Sequence, residues 1–194
     1  VGLLTFTPCR YSRYTRAVHH ATAGNLDRRN VGDVWTLTLE EYERRSFLGK
    51  LGFRLYRNPF VMFGLAPFYM FFIHNRWAHP RDGWRRQLDV QKTNLLIVAM
   101  VALGSLTLGF WPYVLIQLPV MMFAGSFGIW LFYVQHQFEG VYWDRSGDWS
   151  YVDTALQGSS YYRLPRILQF FSGNIGFHHV HHLSPLVPNY FLES

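Results

Sequence analysis

A chain of 194 residues that is 49% hydrophobic and 19% aromatic has ample material for a core, and its length fits one domain. Its single cysteine, Cys9, rules out an internal disulfide and any thiolate-based zinc or iron–sulfur centre, so a metal would be held by histidine and carboxylate. Lys and Arg number 18 against 12 Asp and Glu, but 10 of the cations lie in residues 1–57 and 5 in residues 74–92, a split that reads as positive-inside topology and contact with anionic lipid instead of a nucleic-acid footprint.

The chain opens on apolar residues, Val1 to Phe6, and turns basic and aromatic (Arg10, Tyr11, Arg13, Tyr14, Arg16) before His19-His20, the pattern of a helix leaving a membrane. No charged segment followed by a short apolar stretch opens it, so no signal peptide is read, and a fragment with cut edges at Val1 and Ser194 is expected. Residues 21–36 are loop-like; within them Asp27, Arg28 and Arg29 read as a solvated charge run in preference to a headgroup or donor contact. Thr38 followed by Glu41 matches a capping box and predicts a helix running toward Arg57. Phe47, Leu48, Leu51 and Leu55 recur at helical spacing among Arg44, Arg45, Lys50, Arg54 and Arg57, which describes a basic amphipathic helix lying on a membrane surface.

Residues 58–73 carry no charge, but 16 residues make roughly 24 Å of helix, short of a comfortable crossing, and Pro67 interrupts them. A re-entrant or interfacial segment is expected, flanked by His74 and His79 as interfacial residues. From Thr93 to Gln135 there are 43 residues without Asp, Glu, Lys, Arg or His, roughly 64 Å as helix, enough for two crossings and too long for one. The sequence Gly109-Phe110-Trp111-Pro112 supplies the break, Pro112 disfavouring helix at Trp111, and predicts crossings at about 94–110 and 113–134. With 58–73 returning to the side it left, parity places both ends of the hairpin, and both histidine clusters, on the cytoplasmic side. The predicted fold is therefore all-α and integral to the membrane: one domain over 1–194, with a transmembrane hairpin at 94–134, interfacial helices, and 1–57 and 136–194 forming a mainly cytoplasmic, histidine-rich cap.

The nine histidines carry the chemistry. In a helix, His178, His181 and His182 share a face, while His179 points about 100° away. His19-His20 form a second cluster, and His136, followed by Gln137-Phe138-Glu139, ends the second crossing. Neutral imidazole suits iron, zinc, copper or nickel. Asn174, four residues before His178, is a candidate to orient an imidazole, alongside an ordinary helix-end role. Gly158-Ser159-Ser160-Tyr161-Tyr162 is a loop without an assignable role.

The context Gly173-Asn174-Ile175-Gly176-Phe177-His178-His179-Val180-His181-His182 resembles the third histidine box, His-x-x-His-His, of the integral-membrane fatty acid desaturases. The stretch His19-His20-Ala21-Thr22-Ala23-Gly24-Asn25-Leu26-Asp27-Arg28-Arg29 is similar to the segment after the second box in bacterial acyl-lipid desaturases, as is Val134-Gln135-His136-Gln137-Phe138-Glu139 to a region that adds a further histidine to the metal site. The resemblance spans essentially the whole chain. It implies two non-haem irons held by His19, His20, His136, His178, His181 and His182, with O2 as co-substrate, an acyl lipid as substrate and insertion of a cis double bond. It also implies an external electron donor such as ferredoxin or cytochrome b5, for which the basic face offers a dock.

Two departures qualify it. Arg16 occupies the first position of the second box, Arg16-Ala17-Val18-His19-His20, and a guanidinium has no lone pair to offer iron. The first box, His-Asp-x-x-His, is absent from the 194 residues, so the six histidines fall short of the family's complete centre and this stretch by itself is expected to be inactive. Two alternatives stand beside a desaturase: another histidine-box membrane di-iron hydroxylase or ketolase, and a non-catalytic lipid-binding relative, which Arg16 favours. A zinc-dependent membrane hydrolase would want a His-Glu-x-x-His helix, which the sequence lacks.

Overall fold

The computed structural model describes residues 2–29, 31–79 and 82–193; Val1 and Ser194, the expected cut edges, lie outside them. Helices dominate, and the described residues contain no strand, only two isolated bridges, Asn25 with Asp144 and Tyr161 with Phe177. The chain divides into two compact units, one of residues 1–14 and 38–130, the other of residues 15–37 and 131–194.

In the first unit, Thr38 forms the expected capping box with Glu41, each side chain meeting the other's backbone N–H. The helix it opens does not run through to Arg57. α2 (Leu39–Glu43) ends after one turn, and Ser46 starts α3 (Phe47–Tyr56) by accepting from the Gly49 N–H. A serine that can cap competes with helix continuation, which the apolar spacing alone does not register. Phe47, Leu48, Leu51 and Leu55 on α3 are all exposed, as an interfacial helix requires.

Residues 61–73 are helical but wide: π-helical turns Val61–Leu65 and Tyr69–Ile73 flank α4 (Ala66–Phe68), with the short 3-10 turn His74–Arg76 after them. Pro67 lacks a donor N–H, and the displaced hydrogen bonds are taken up by the wider turns. Two long helices come next, α5 (Trp84–Leu108) and α6 (Phe110–His136), of 25 and 27 residues, each long and apolar enough to cross a bilayer. Only 11% of the most apolar 18-residue stretch of each is buried, so neither is covered as a core helix by the described residues. The hairpin break differs in detail from expectation. Gly109, at φ 87°, makes the turn, and Trp111 is helical because Pro112 sits in the first turn of α6, where a missing N–H costs nothing. A Cβ on Gly104 would collide with the Tyr113 ring, so the helices meet closely beside that turn.

The core of this unit gathers Phe6, Ile97 and Met121, with Leu3, Phe71, Phe72, Met100 and Val101 against them. Residues 2–6 are turns instead of the start of a helix, and α1 (Cys9–Thr22) begins after Pro8. No acidic residue lies in its first turn; Asp89 of α5 replaces one, its Oδ2 accepting from the Arg10 and Tyr11 N–H groups, both at 3.2 Å. Arg86 lies over the Tyr14 ring at 3.6 Å, and Arg76 donates to Asn94 and to the Phe6 carbonyl. The Asp89 and Arg86 contacts fix the first turns of α1.

In the second unit, the loop after α1 is pinned to the loop after α6. Leu26 N–H donates to the Asp144 carbonyl (2.8 Å), Asp144 N–H to Gly24 (2.9 Å), and Trp149 Nε1 to Ala23 (2.9 Å). Asp27 clamps Arg145 and the Ser146 N–H, which gives that part of the charge run a structural partner. α7 (Tyr151–Gln157), α8 (Arg166–Ser172) and α9 (His178–Leu183) complete it, with Gly173 closing α8 in the left-handed conformation. Losing the carboxylate at Asp89 is expected to destabilise the protein by about 1 kcal/mol, as for other helix caps. Unfolding of Asp89→Ala in mixed micelles, against the exposed Glu43→Ala, measures it; equal stabilities would contradict the capping role.

Candidate metal centre

Three chain segments of the second unit bring the histidines together. His19 and His20 lie in the last turn of α1, His136 ends α6, and α9 presents His178, His181 and His182 from one face. His136 Nε2 is 3.1 Å from His19 Nε2 and 2.9 Å from His178 Nε2. His182 is 1% exposed; its ring centroid lies 4.8 Å from that of His136, 5.1 Å from that of His19 and 4.3 Å from that of His20, on which it stacks. His181 meets His20 at 4.6 Å. All six imidazoles thus form one cluster, and ligand atoms of His19, His136 and His182 lie within 4.8 Å of one another.

Hydrogen bonding at the far ring nitrogens shows what this cluster lacks. His19 Nδ1 donates to Asp33 Oδ1 at 2.7 Å, and His136 Nδ1 donates to the Gly158 carbonyl at 3.2 Å, since neither oxygen can donate. A neutral imidazole carries one N–H, so with both rings neutral the two Nε2 atoms present lone pairs to each other across 3.1 Å. His178 can donate its Nε2–H to His136, but nothing in the cluster supplies a donor for His19. His182 Nε2, His178 Nδ1, His181 Nδ1 and His20 Nδ1 are also buried without a hydrogen-bond partner. Opposed lone pairs and orphaned imidazole nitrogens in a buried, thiol-free cluster fit a cation that prefers nitrogen.

The electrostatics keep the donors available. Burial, helped by His181, His19 and Arg16, pushes His20 down to about 4. Burial, then the neighbouring His136, holds His178 and His182 well below the ordinary histidine range. His181 is lowered by burial, with Arg16 the next cause. These rings are therefore neutral at physiological pH and offer lone pairs to a metal.

Residues outside the expected ligand set sit elsewhere. His179 leaves the shared face and packs edge-on to Tyr161 at 5.7 Å. Asn174 adopts φ 57° and its amide donates to the Asn189 carbonyl, so its side chain ties α9's entry to the C-terminal segment. Glu139 is exposed, and His74 and His79 belong to the first unit. Arg16 lies one turn before His19-His20 on α1 and is exposed.

Two supports lie outside the residues that the sequence pattern selected. Asp33 orients His19, and Gly32, at φ 77° where a Cβ would press on the His19 side chain, lets the loop come close enough to do so. A buried histidine ligand wants an acceptor at its other nitrogen, so the carboxylate in this short loop was the available signal. The 158–162 loop, silent in sequence, provides the Gly158 carbonyl, while Ser160 N–H and Oγ bond to the Gln135 and Val134 carbonyls and anchor it to the end of α6.

The fatty acid desaturase family is matched over residues 1–194. The chain belongs to that family. It is 49% identical over 192 residues to a fatty acid desaturase of Bacillus subtilis (strain 168), a match covering 99% of this chain and 54% of the relative. It is 24% identical over 199 residues to the sn-1 oleoyl-lipid 12-desaturase of Synechocystis (strain ATCC 27184 / PCC 6803 / Kazusa), covering 100% of this chain and 56% of that protein. The chain thus spans about half the length of the curated relatives it matches. No solved structure matches it.

In this desaturase-family chain, Asp33→Asn removes the charged acceptor at His19 and is expected to weaken divalent metal binding by about 10- to 100-fold, read by cobalt titration of the full-length protein. Unchanged affinity would mean Asp33 does not support the ligand. Acid should also loosen the metal-free cap. In the folded cap His20, His178, His181 and His182 lie below their unfolded value of about 6.5, so the unfolded chain binds protons that the folded one refuses. Stability is full above pH 6.5 and falls as pH drops from there toward about 4. Melting temperature should decline over that window, less steeply in His20→Gln/His181→Gln; identical slopes would exclude these two rings as the cause.

Proposed function

We propose that the protein containing this chain is an integral-membrane fatty acid desaturase that uses O2 to insert a cis double bond into an acyl chain. The observation that carries this reading is the convergence of six imidazoles on one buried cluster, with the Nε2 atoms of His19, His136 and His178 turned toward one another as shared coordination of a cation would have them. His19, His20, His136, His178, His181 and His182 would hold two non-haem irons together with ligands from outside these 194 residues. Iron with O2 supplies the oxidising power that an unactivated methylene C–H demands and that side-chain acid–base chemistry lacks. The chain's own part is positional: Asp33 and the Gly158 carbonyl fix two rings with Nε2 inward, and burial of the cluster excludes water. α5 and α6 would form the transmembrane hairpin and residues 58–73 a re-entrant or interfacial segment. Both histidine clusters would lie on the cytoplasmic side, where an external donor such as ferredoxin or cytochrome b5 delivers electrons to the basic face. The substrate would be a lipid-linked fatty acid.

Arg16 favours a second reading, a non-catalytic lipid-binding relative. Its charge acts on His20 and His181, the two rings a further ligand at position 16 would join. Iron analysis and lipid-product analysis of the full-length protein and Arg16→His separate the two. A desaturase should show alkene products, with iron content rising toward two per chain in Arg16→His because a cation is replaced by a lone pair. No iron in either protein would favour the lipid-binding reading, and alcohol or ketone products would point to a hydroxylase or ketolase.

A further inference from the structure

A second site lies beside the histidine helix. Residues 161–193 enclose a pocket of about 850 Å³, within the range of small-molecule sites. Arg163 and Arg166 line it, and neither has an ion-pair partner among the described residues. Glu193 also lines it, so the pocket carries two cations and one anion. Gln169, 8% exposed, contributes a buried Oε1 with no hydrogen-bond partner. Its other lining residues include the aromatics Tyr190 and Tyr161, the latter stacked at 5.0 Å on Phe177, the residue that opens the histidine helix.

We propose that this pocket binds a phosphodiester, the polar end of the acyl substrate, with the phosphate on Arg163 and Arg166. A guanidinium pair matches phosphate oxygens through charge-assisted, forked hydrogen bonds. A single negative phosphodiester leaves one positive charge balanced by Glu193, and Glu193 and the Gln169 amide take a hydroxyl or ammonium on the far side of the phosphorus. A neutral diacylglycerol offers a hydroxyl but nothing to the guanidinium pair. Tyr161 also lines an apolar pocket of about 580 Å³ with Val134, Phe138 and Leu156, next to the loop that supports His136. A headgroup held at Arg163 and Arg166 therefore has an apolar surface beyond Tyr161, lined in part by the loop that supports His136. The phosphate oxygens could come from the phosphodiester of a glycerophospholipid or from the diphosphate of an acyl-CoA thioester; both offer the charged acceptors that a guanidinium pair recognises. The identification of this ligand as substrate rests on the desaturase reading, while the pocket's chemistry does not.

The test is equilibrium binding to full-length, metal-stripped protein in neutral detergent, using tail-labelled phosphatidylglycerol, diacylglycerol with the same tails, and acyl-CoA. A phosphodiester ligand should bind about tenfold or more tighter than diacylglycerol, and Arg163→Gln/Arg166→Gln should erase that advantage while leaving diacylglycerol binding unchanged. Arg163→Lys/Arg166→Lys should keep part of it, which guards against misreading a misfolded variant. Preference for phosphatidylglycerol assigns the lipid source, and a stronger, equally arginine-dependent preference for acyl-CoA assigns the thioester. Equal binding of phosphatidylglycerol, acyl-CoA and diacylglycerol, or an advantage that survives the glutamine pair, overturns the proposal. Because no turnover is involved, failure of the desaturase reading would appear separately, as absence of alkene in the product assay.

Discussion

Two imidazole lone pairs held 3.1 Å apart in a buried site need positive charge between them. That requirement arises from two hydrogen bonds made elsewhere. Asp33 and the Gly158 carbonyl take the Nδ1 protons of His19 and His136, and each bond turns an Nε2 lone pair inward. Burial disfavours protonation of His178 and His182, so those rings do not supply that charge. The rest of the second unit is the scaffold that holds these rings together, and under the proposed desaturase reading that is where the metal would sit.

The scaffold works by tying distant segments at their ends. α1 delivers His19 and His20 in its last turn, and the Gly24 to Asp144 pairing fixes that turn against the loop following α6. Tyr151 on α7 donates to the His182 carbonyl at 2.5 Å, and Gln135 donates to the Ile175 carbonyl, so the histidine helix is held from both α7 and α6. Short helices suit this work. α9 spans only His178 to Leu183, long enough for one face of three imidazoles and too short to stand without its neighbours.

Much of this was legible in the sequence because it is local. Helical spacing selected His178, His181 and His182 and excluded His179; the capping box at Thr38, the hairpin in the charge-free run and His136 at a helix end all depend on residues a few positions apart. What escaped was competition and long-range contact. Ser46 interrupts a helix whose apolar pattern continues through it, and Pro112 is tolerated inside a first turn where a strict reading expects a break. Asp33, 14 residues from His19, and Gly158, 22 from His136, became partners only through the fold. A loop glycine's carbonyl carries no side-chain signature for a sequence to display.

The most direct test of the cluster is X-ray absorption at the iron edge of the full-length, iron-loaded protein. A centre built from these six rings predicts a nearest shell dominated by nitrogen, with the multiple-scattering pattern of several imidazoles, and loss of part of that pattern in His182→Ala. A shell dominated by carboxylate oxygen, or a spectrum unchanged by His182→Ala, would contradict it.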